Sequence, residues 1–186
     1  MFERILTRLA RELADRSVPY MVIGGQAVLR YGEPRLTKDI DVTLGLGVDG
    51  FQTIREVARA LDFVIIVEQP EDFVRKTMVL PVLDEDSGIR IDFIFSFSEY
   101  ERQAIERAVS VPIKDASVRF ASLEDVIIHK IVAGRPRDIE DIRSILLKNP
   151  GYDTAYIDRW LKEFDASLGE AYLGAFQEIV TELEQD

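Results

Sequence analysis

The feature that most limits what this chain can fold into is Asp39-Ile40-Asp41-Val42, an acidic pair inside an apolar, β-branched run. In a strand, residues two apart face the same way, about 7 Å apart along the chain. Asp39 and Asp41 therefore project side by side while Ile40 and Val42 point to the other face. Two carboxylates held that close repel each other and resist burial unless a cation lies between them, and a divalent metal is the obvious candidate. The plain alternative is an edge strand with its polar residues facing water. Against it, Asp is disfavoured in strands, and a third carboxylate, Asp92, recurs as the only acid of the apolar run Ile89 to Phe95. If the two strands are neighbours, three carboxylates converge on one edge of a sheet. Two-metal phosphoryl or nucleotidyl transfer requires such a site, with metals roughly 3.5 to 4 Å apart clamping the attacking and leaving oxygens. Mg²⁺ fits best, because it prefers oxygen ligands and is held by one or two carboxylates plus substrate phosphates.

Upstream, the apolar run Tyr20 to Ile23 breaks at Gly24-Gly25, ahead of a short helix expected over Gln26 to Tyr31. Glycines at a strand-to-helix turn allow close backbone approach, and the N–H groups at a helix start form an anion site. Gly24-Gly25, then thirteen residues, then Asp39-Ile40-Asp41, with Asp92 on a later strand, resembles the signature of the DNA polymerase β type nucleotidyltransferase superfamily. The string Arg35-Leu36-Thr37-Lys38-Asp39-Ile40-Asp41, together with Lys130 to Asp141, resembles the branch that includes the type IV toxin (abortive-infection) nucleotidyltransferases. The likeness covers residues 1 to 148.

That resemblance implies an α/β nucleotidyltransferase fold, a mixed twisted sheet flanked by helices with a helical C-terminal region. It implies that Asp39 and Asp41 bind two Mg²⁺ ions, with Mn²⁺ as a substitute, and that Asp92 completes one metal site and helps deprotonate an acceptor hydroxyl. Gly24 and Gly25 then serve the triphosphate, with Arg35 and Lys38 as further contacts just before the metal ligands. Lys130 is expected to contact the triphosphate and contribute to catalysis, and Asp138 or Asp141 to orient it or a nearby arginine at the nucleotide site. Each has a blander reading: a tight turn for the glycines, solvated charge for Arg35 and Lys38, and a salt-bridged helix pair for Lys130, Asp138 and Asp141. His129, the sole histidine, reads as a partly buried structural residue. Tyr156 and Trp160 read as core or interface rather than a base-stacking platform.

The pattern places a catalytic core over 1–121 and a helical region over 122–186. Core helices are expected at Phe2 to Arg16, Gly50 to Leu61 and Ser98 to Ala108. Further strands are expected at Phe63 to Val67, Thr77 to Leu83, Val109 to Ile113 and Ser117 to Phe120, with a hairpin turn at Asp84 to Gly88 leading into Ile89 to Phe95. Ser122 with Asp125 resembles a capping box opening a helix that Gly134 ends. Pro136 opens another helix running to Lys148, and Thr154 to Phe164 and Leu168 to Glu184 complete the tail.

Charge narrows the partners. The net charge is −11, and Tyr152 to Asp186 holds nine acids against two bases, whereas Ile127 to Lys148 holds five bases against three acids. Long duplex DNA is therefore not an expected partner, while a nucleoside triphosphate and a locally engaged acceptor (tRNA or other RNA, protein, or a small molecule) are. With no cysteine, no long apolar run and a charged amphipathic N-terminus, the expectation is a cytoplasmic protein without a membrane partner. The function read from the sequence is Mg²⁺-dependent nucleotidyl transfer, with the toxin of a toxin–antitoxin pair, and hence a cognate antitoxin, as the biological setting. The alternatives are a catalytically silent nucleotide- or partner-binding module and a metal-dependent phosphohydrolase.

Overall fold

Apolar residues at helical spacing bury Ile5, Leu6, Leu9 and Leu13 along one side of α1 (Phe2–Asp15). The chain then reverses through Ser17, whose φ is 55°, into β1 (Tyr20–Ile23) and α2 (Gly24–Tyr31). The computed structural model describes residues 1–185. After α2 come β2 (Asp39–Leu44), a 3₁₀ turn at Val48–Gly50, α3 (Phe51–Ala60), β3 (Val64–Ile65), α4 (Pro70–Thr77), β4 (Val79–Asp84) and β5 (Ile89–Phe95). They are followed by α5 (Glu99–Arg107), β6 (Val109–Ile113) and β7 (Ala116–Phe120), and then by four helices: α6 (Leu123–Ala133), α7 (Pro136–Lys148), α8 (Thr154–Leu168) and α9 (Tyr172–Gln185). The result is a mixed α/β fold. The strands form one seven-stranded sheet in the order β3-β4-β5-β2-β1-β7-β6, with β2 parallel to β5 and antiparallel to β1.

The acid-bearing strand is thus the central one, which excludes the edge-strand reading of Asp39 and Asp41. Alternation divides the two faces. Ile40, Val42 and Leu44 on β2 and Ile91, Phe93 and Phe95 on β5 are buried on one of them. Leu80, Val82 and Asp84 of β4 share that face by register. The buried Asp84 is answered by Arg4 and Arg8 of α1, at 3.5 and 3.9 Å. Its carbonyl also accepts from the Gly88 N–H at 2.8 Å, closing the hairpin turn into β5.

The chain divides into two compact units. Met1–Gln26 and Leu36–Ala121 hold the whole sheet, and Ala27–Arg35 joins the helical chain from Ser122 onward. Residues 27–35, read from the sequence as part of the core, group with the helices. Three further elements differ from the sequence expectation. α2 begins at Gly24, so the two glycines lie in its first turn. β3 keeps only two residues. An unexpected helix, α4, precedes β4, with Pro70 in its first turn and Val74 its one buried residue. In the helical unit, Ser122 Oγ caps α6 by accepting from the Asp125 N–H at 3.2 Å. The Asp125 carboxylate does not complete the reciprocal box; it accepts from the hydroxyls of Ser122 at 2.6 Å and Tyr156 at 2.9 Å. The Tyr156 hydroxyl thereby ties α8 to α6, and Trp160 on α8 is buried. Among the described residues, no helix is long and apolar enough to cross a membrane.

Candidate active site

β2 and β5 run side by side in a register that sets Asp39 opposite Arg90 and Asp41 opposite Asp92. Paired residues of adjacent strands point to the same face, so the three carboxylates and Arg90 share the face opposite the apolar core. They lie on a face at the middle of the sheet, not along its edge. Asp39, Asp41 and Asp92 are all of intermediate burial, half-covered and half-open.

Three devices position these acids. The first is Gly24, which adopts φ +63°, where side chains are disfavoured, and a Cβ there would overlap Asp41 Oδ2. The Asp41 carboxylate therefore lies against the first turn of α2, the helix end that favours anions. The second is Gln26, almost buried, whose amide donates to Thr37 Oγ1 at 2.7 Å and ties the segment entering β2. The third is Arg90. Its Nε donates to Asp92 Oδ1 at 2.8 Å. The hydrogen bond to Asp92, together with the charges of Asp92, Asp39 and Asp41, outweighs partial desolvation and raises the guanidinium above its ordinary pKa. Lys38 precedes Asp39 as an exposed side chain.

The donor set suits a hard divalent cation in type, being all carboxylate oxygen on one face. As placed, no three acidic or histidine side chains among the described residues converge tightly enough to hold a metal, and Asp92 is turned to Arg90.

The remaining residues singled out in the sequence form a separate cluster in the helical unit. Lys130 of α6 is only 7% exposed and pairs with Asp138 and, at 2.9 Å, with Asp141, both on α7. Arg35 makes a two-pronged pair with Asp141, Nε to Oδ1 at 2.9 Å and Nη2 to Oδ2 at 3.0 Å. Arg135 Nε donates to Asp138 Oδ2 at 2.7 Å, and its backbone N–H donates to the same oxygen at 3.2 Å, capping α7. Burial alone would raise the Asp138 carboxyl. The hydrogen bonds and charges of Arg135 and Lys130 prevail and hold it below the usual carboxylate range. His129, next to Lys130, is half-buried.

The sequence reading missed Arg90, Gln26 and Thr37. For Arg90 the signal was present: in Ile89 to Phe95 it stands two residues from Asp92 and so shares its face. Gln26 and Thr37 are eleven residues apart and carry no periodic signal.

With this geometry in view, the comparisons fall on one class. ANT(2″)-Ia in complex with adenylyl-2″-tobramycin has a similar fold, with a TM-score of 0.60 and 16% identity over 89% of this chain and 98% of that one. The solution structure of the same antibiotic-resistance factor gives a TM-score of 0.57 at 16% identity over 98% and 95%. An antigenic nucleotidyltransferase-like protein from Paracoccidioides brasiliensis gives 0.54 at 16% identity over 91% of each chain. Among curated proteins none matches the sequence. The fold is that of nucleotidyltransferases. The chain belongs to the family described as nucleotidyltransferases of unknown function (DUF6036), which matches residues 3–165.

Proposed function

We propose that the protein transfers a nucleotide from a nucleoside triphosphate to a hydroxyl acceptor at the sheet face carrying Asp39, Asp41 and Asp92. The observation that carries this reading is the register of Asp41 against Asp92 on the two central parallel strands, with Asp39 on the same face. In the proposal these three carboxylates hold Mg²⁺, which when bound supplies positive charge to the phosphate oxygens. The first-turn N–H groups of α2 at Gly24 and Gly25 receive the triphosphate, and Lys38, next to Asp39 in sequence, is a further contact. Asp92 takes the proton of the acceptor hydroxyl. The hydroxyl oxygen bonds to the α-phosphorus as the bond to the β-phosphate oxygen breaks, and pyrophosphate leaves.

Lys130, Arg35, Asp138 and Asp141 enter the proposal as a unit. Each cation already faces a buried carboxylate, so the role assigned to Lys130 and Arg35 is to fix the segment 27–35 to α6 and α7. A triphosphate contact by either would compete with these pairs for the same positive charge.

The toxin of a toxin–antitoxin pair, with a cognate antitoxin, is the proposed biological setting; its support is the likeness of Arg35 to Asp41 and Lys130 to Asp141 to that branch. A protein of the same fold is known with adenylyl-2″-tobramycin, so aminoglycosides belong in an acceptor screen beside RNA and protein. The test is incubation with Mg²⁺ and each labelled nucleoside triphosphate in turn, with total RNA, cell extract or aminoglycosides as acceptor. Label entering a larger species or a modified antibiotic, with pyrophosphate released only when acceptor is present, is the expected result. Pyrophosphate or phosphate release that ignores the acceptor would favour a phosphohydrolase. Nucleotide binding without either would favour a silent binding module.

A further inference from the structure

Arg90 is the one cation that the register sets among the three acids. It stands directly opposite Asp39 on the neighbouring strand and two residues before Asp92 on its own. Adjacent strands lie about 4.8 Å apart, so a guanidinium starting from this position reaches every carboxylate of the face, and it is engaged with Asp92 at 2.8 Å. The side chain of Asp92 is 17% exposed and that of Arg90 51%, so the guanidinium can swing out to water, whereas the mostly covered Asp92 carboxylate needs another cation in its place.

We propose that Arg90 is a tethered counter-cation that holds Asp92 off the divalent-metal site in the nucleotide-free protein, so that metal loading requires the Arg90–Asp92 pair to open. The inference rests on the metal reading of Asp39, Asp41 and Asp92 given above. The Asp92 oxygen that accepts from Arg90 has a lone pair and charge committed to that bond. A divalent cation at that oxygen must displace the guanidinium, and one at the other carboxylate oxygen must sit beside a full positive charge. A site whose competent state is only partly populated binds with an apparent affinity reduced by that fraction. Because arginine stays protonated across the physiological range, the competition does not relax as pH rises. An arriving triphosphate offers Arg90 another anionic partner, which frees Asp92 when both substrate and metal are present. Arg90 is on this account a positioning residue, acting on the metal site through Asp92.

The test is Mn²⁺ binding to the full chain without nucleotide, read from loss of the free-ion signal in electron paramagnetic resonance. Arg90→Ala and, as a second variant closer in shape, Arg90→Gln are expected to bind Mn²⁺ about two- to fivefold more tightly than the wild type, the range set by opening a half-exposed ion pair. In an Asp92→Asn background the same substitutions are expected to gain much less. Unchanged or weaker binding in both arginine variants overturns the inference. So does an equal gain in the Asp92→Asn background, which would reduce Arg90 to a general repulsive charge. The parent reading fails separately: an Asp39→Asn/Asp41→Asn protein that binds Mn²⁺ like the wild type would remove the metal site itself.

Discussion

The molecule holds two concentrations of charge that solve opposite problems. In the helical unit, Asp138 and Asp141 are 3% and 6% exposed, and each is met by two cations, Lys130 with Arg135 and Lys130 with Arg35. On the sheet, Asp39, Asp41 and Asp92 are half-open and share the single arginine that the register sets among them, Arg90. Buried charge that is paired and hydrogen-bonded is tolerated, and removing one partner leaves the other stranded. Like charges gathered on an accessible face gain nothing for the fold, and such groups are the usual price of a functional site. The same residue types thus act as a brace in one place and, in the function proposed above, as metal ligands in the other.

The largest effect on stability should follow from breaking the brace. Lys130→Met removes one of the two cations that meet each buried carboxylate, leaving Arg135 on Asp138 and Arg35 on Asp141, and is expected to cost roughly 2 to 3 kcal/mol, measured by urea unfolding. A loss below about 1 kcal/mol would return Lys130 to the pool of residues available to substrate. Next comes Gly24→Ala, which forces a side chain into φ +63° and against Asp41. Strain of about 1 to 2 kcal/mol is expected, together with a displaced Asp41 carboxylate and hence a fall in transfer rate larger than the stability loss alone explains. Smaller again is an acid effect. The folded-state pKa of Asp138 is depressed, so its contribution is present above the unfolded value of about 4 and is lost as pH falls through the folded value. Unfolding midpoints measured from pH 5 downward should fall, and should fall less steeply in Asp138→Asn. The smallest effect on stability is expected on the sheet, where Asp41→Asn should shift unfolding by no more than about 0.5 kcal/mol or should stabilise.

The two regions were legible to different degrees. Asp39, Asp41 and Asp92 stood out because an acid in an apolar strand contradicts its surroundings, and a contradiction survives without knowledge of the fold. That their strands are neighbours and central is a matter of sheet order, which depends on the packing of the whole chain. Arg90 escaped notice because an arginine in a half-exposed strand is unremarkable until its register with Asp39 is known. The acids of α7 were visible, but not their burial: Asp138 and Asp141, three residues apart, suit a solvated helix surface equally well. Helix α4 was missed because it buries only Val74 and lies between Gln69 and Met78, both in left-handed conformations, so no apolar stripe marks it. Pro70 with Glu71 and Asp72 at its start and Arg75 and Lys76 at its end were the available signals.

The most direct measurement of the central claim sets one residue from each region against the other. Asp41→Asn and Asp141→Asn would be compared for urea unfolding and for Mg²⁺-dependent, acceptor-dependent pyrophosphate release from a nucleoside triphosphate. The account predicts that Asp41→Asn unfolds like the wild type yet loses pyrophosphate release by roughly 10³-fold or more, as expected when several kcal/mol of transition-state stabilisation disappear, whereas Asp141→Asn loses stability first. An Asp41→Asn protein that releases pyrophosphate at the wild-type rate would contradict it.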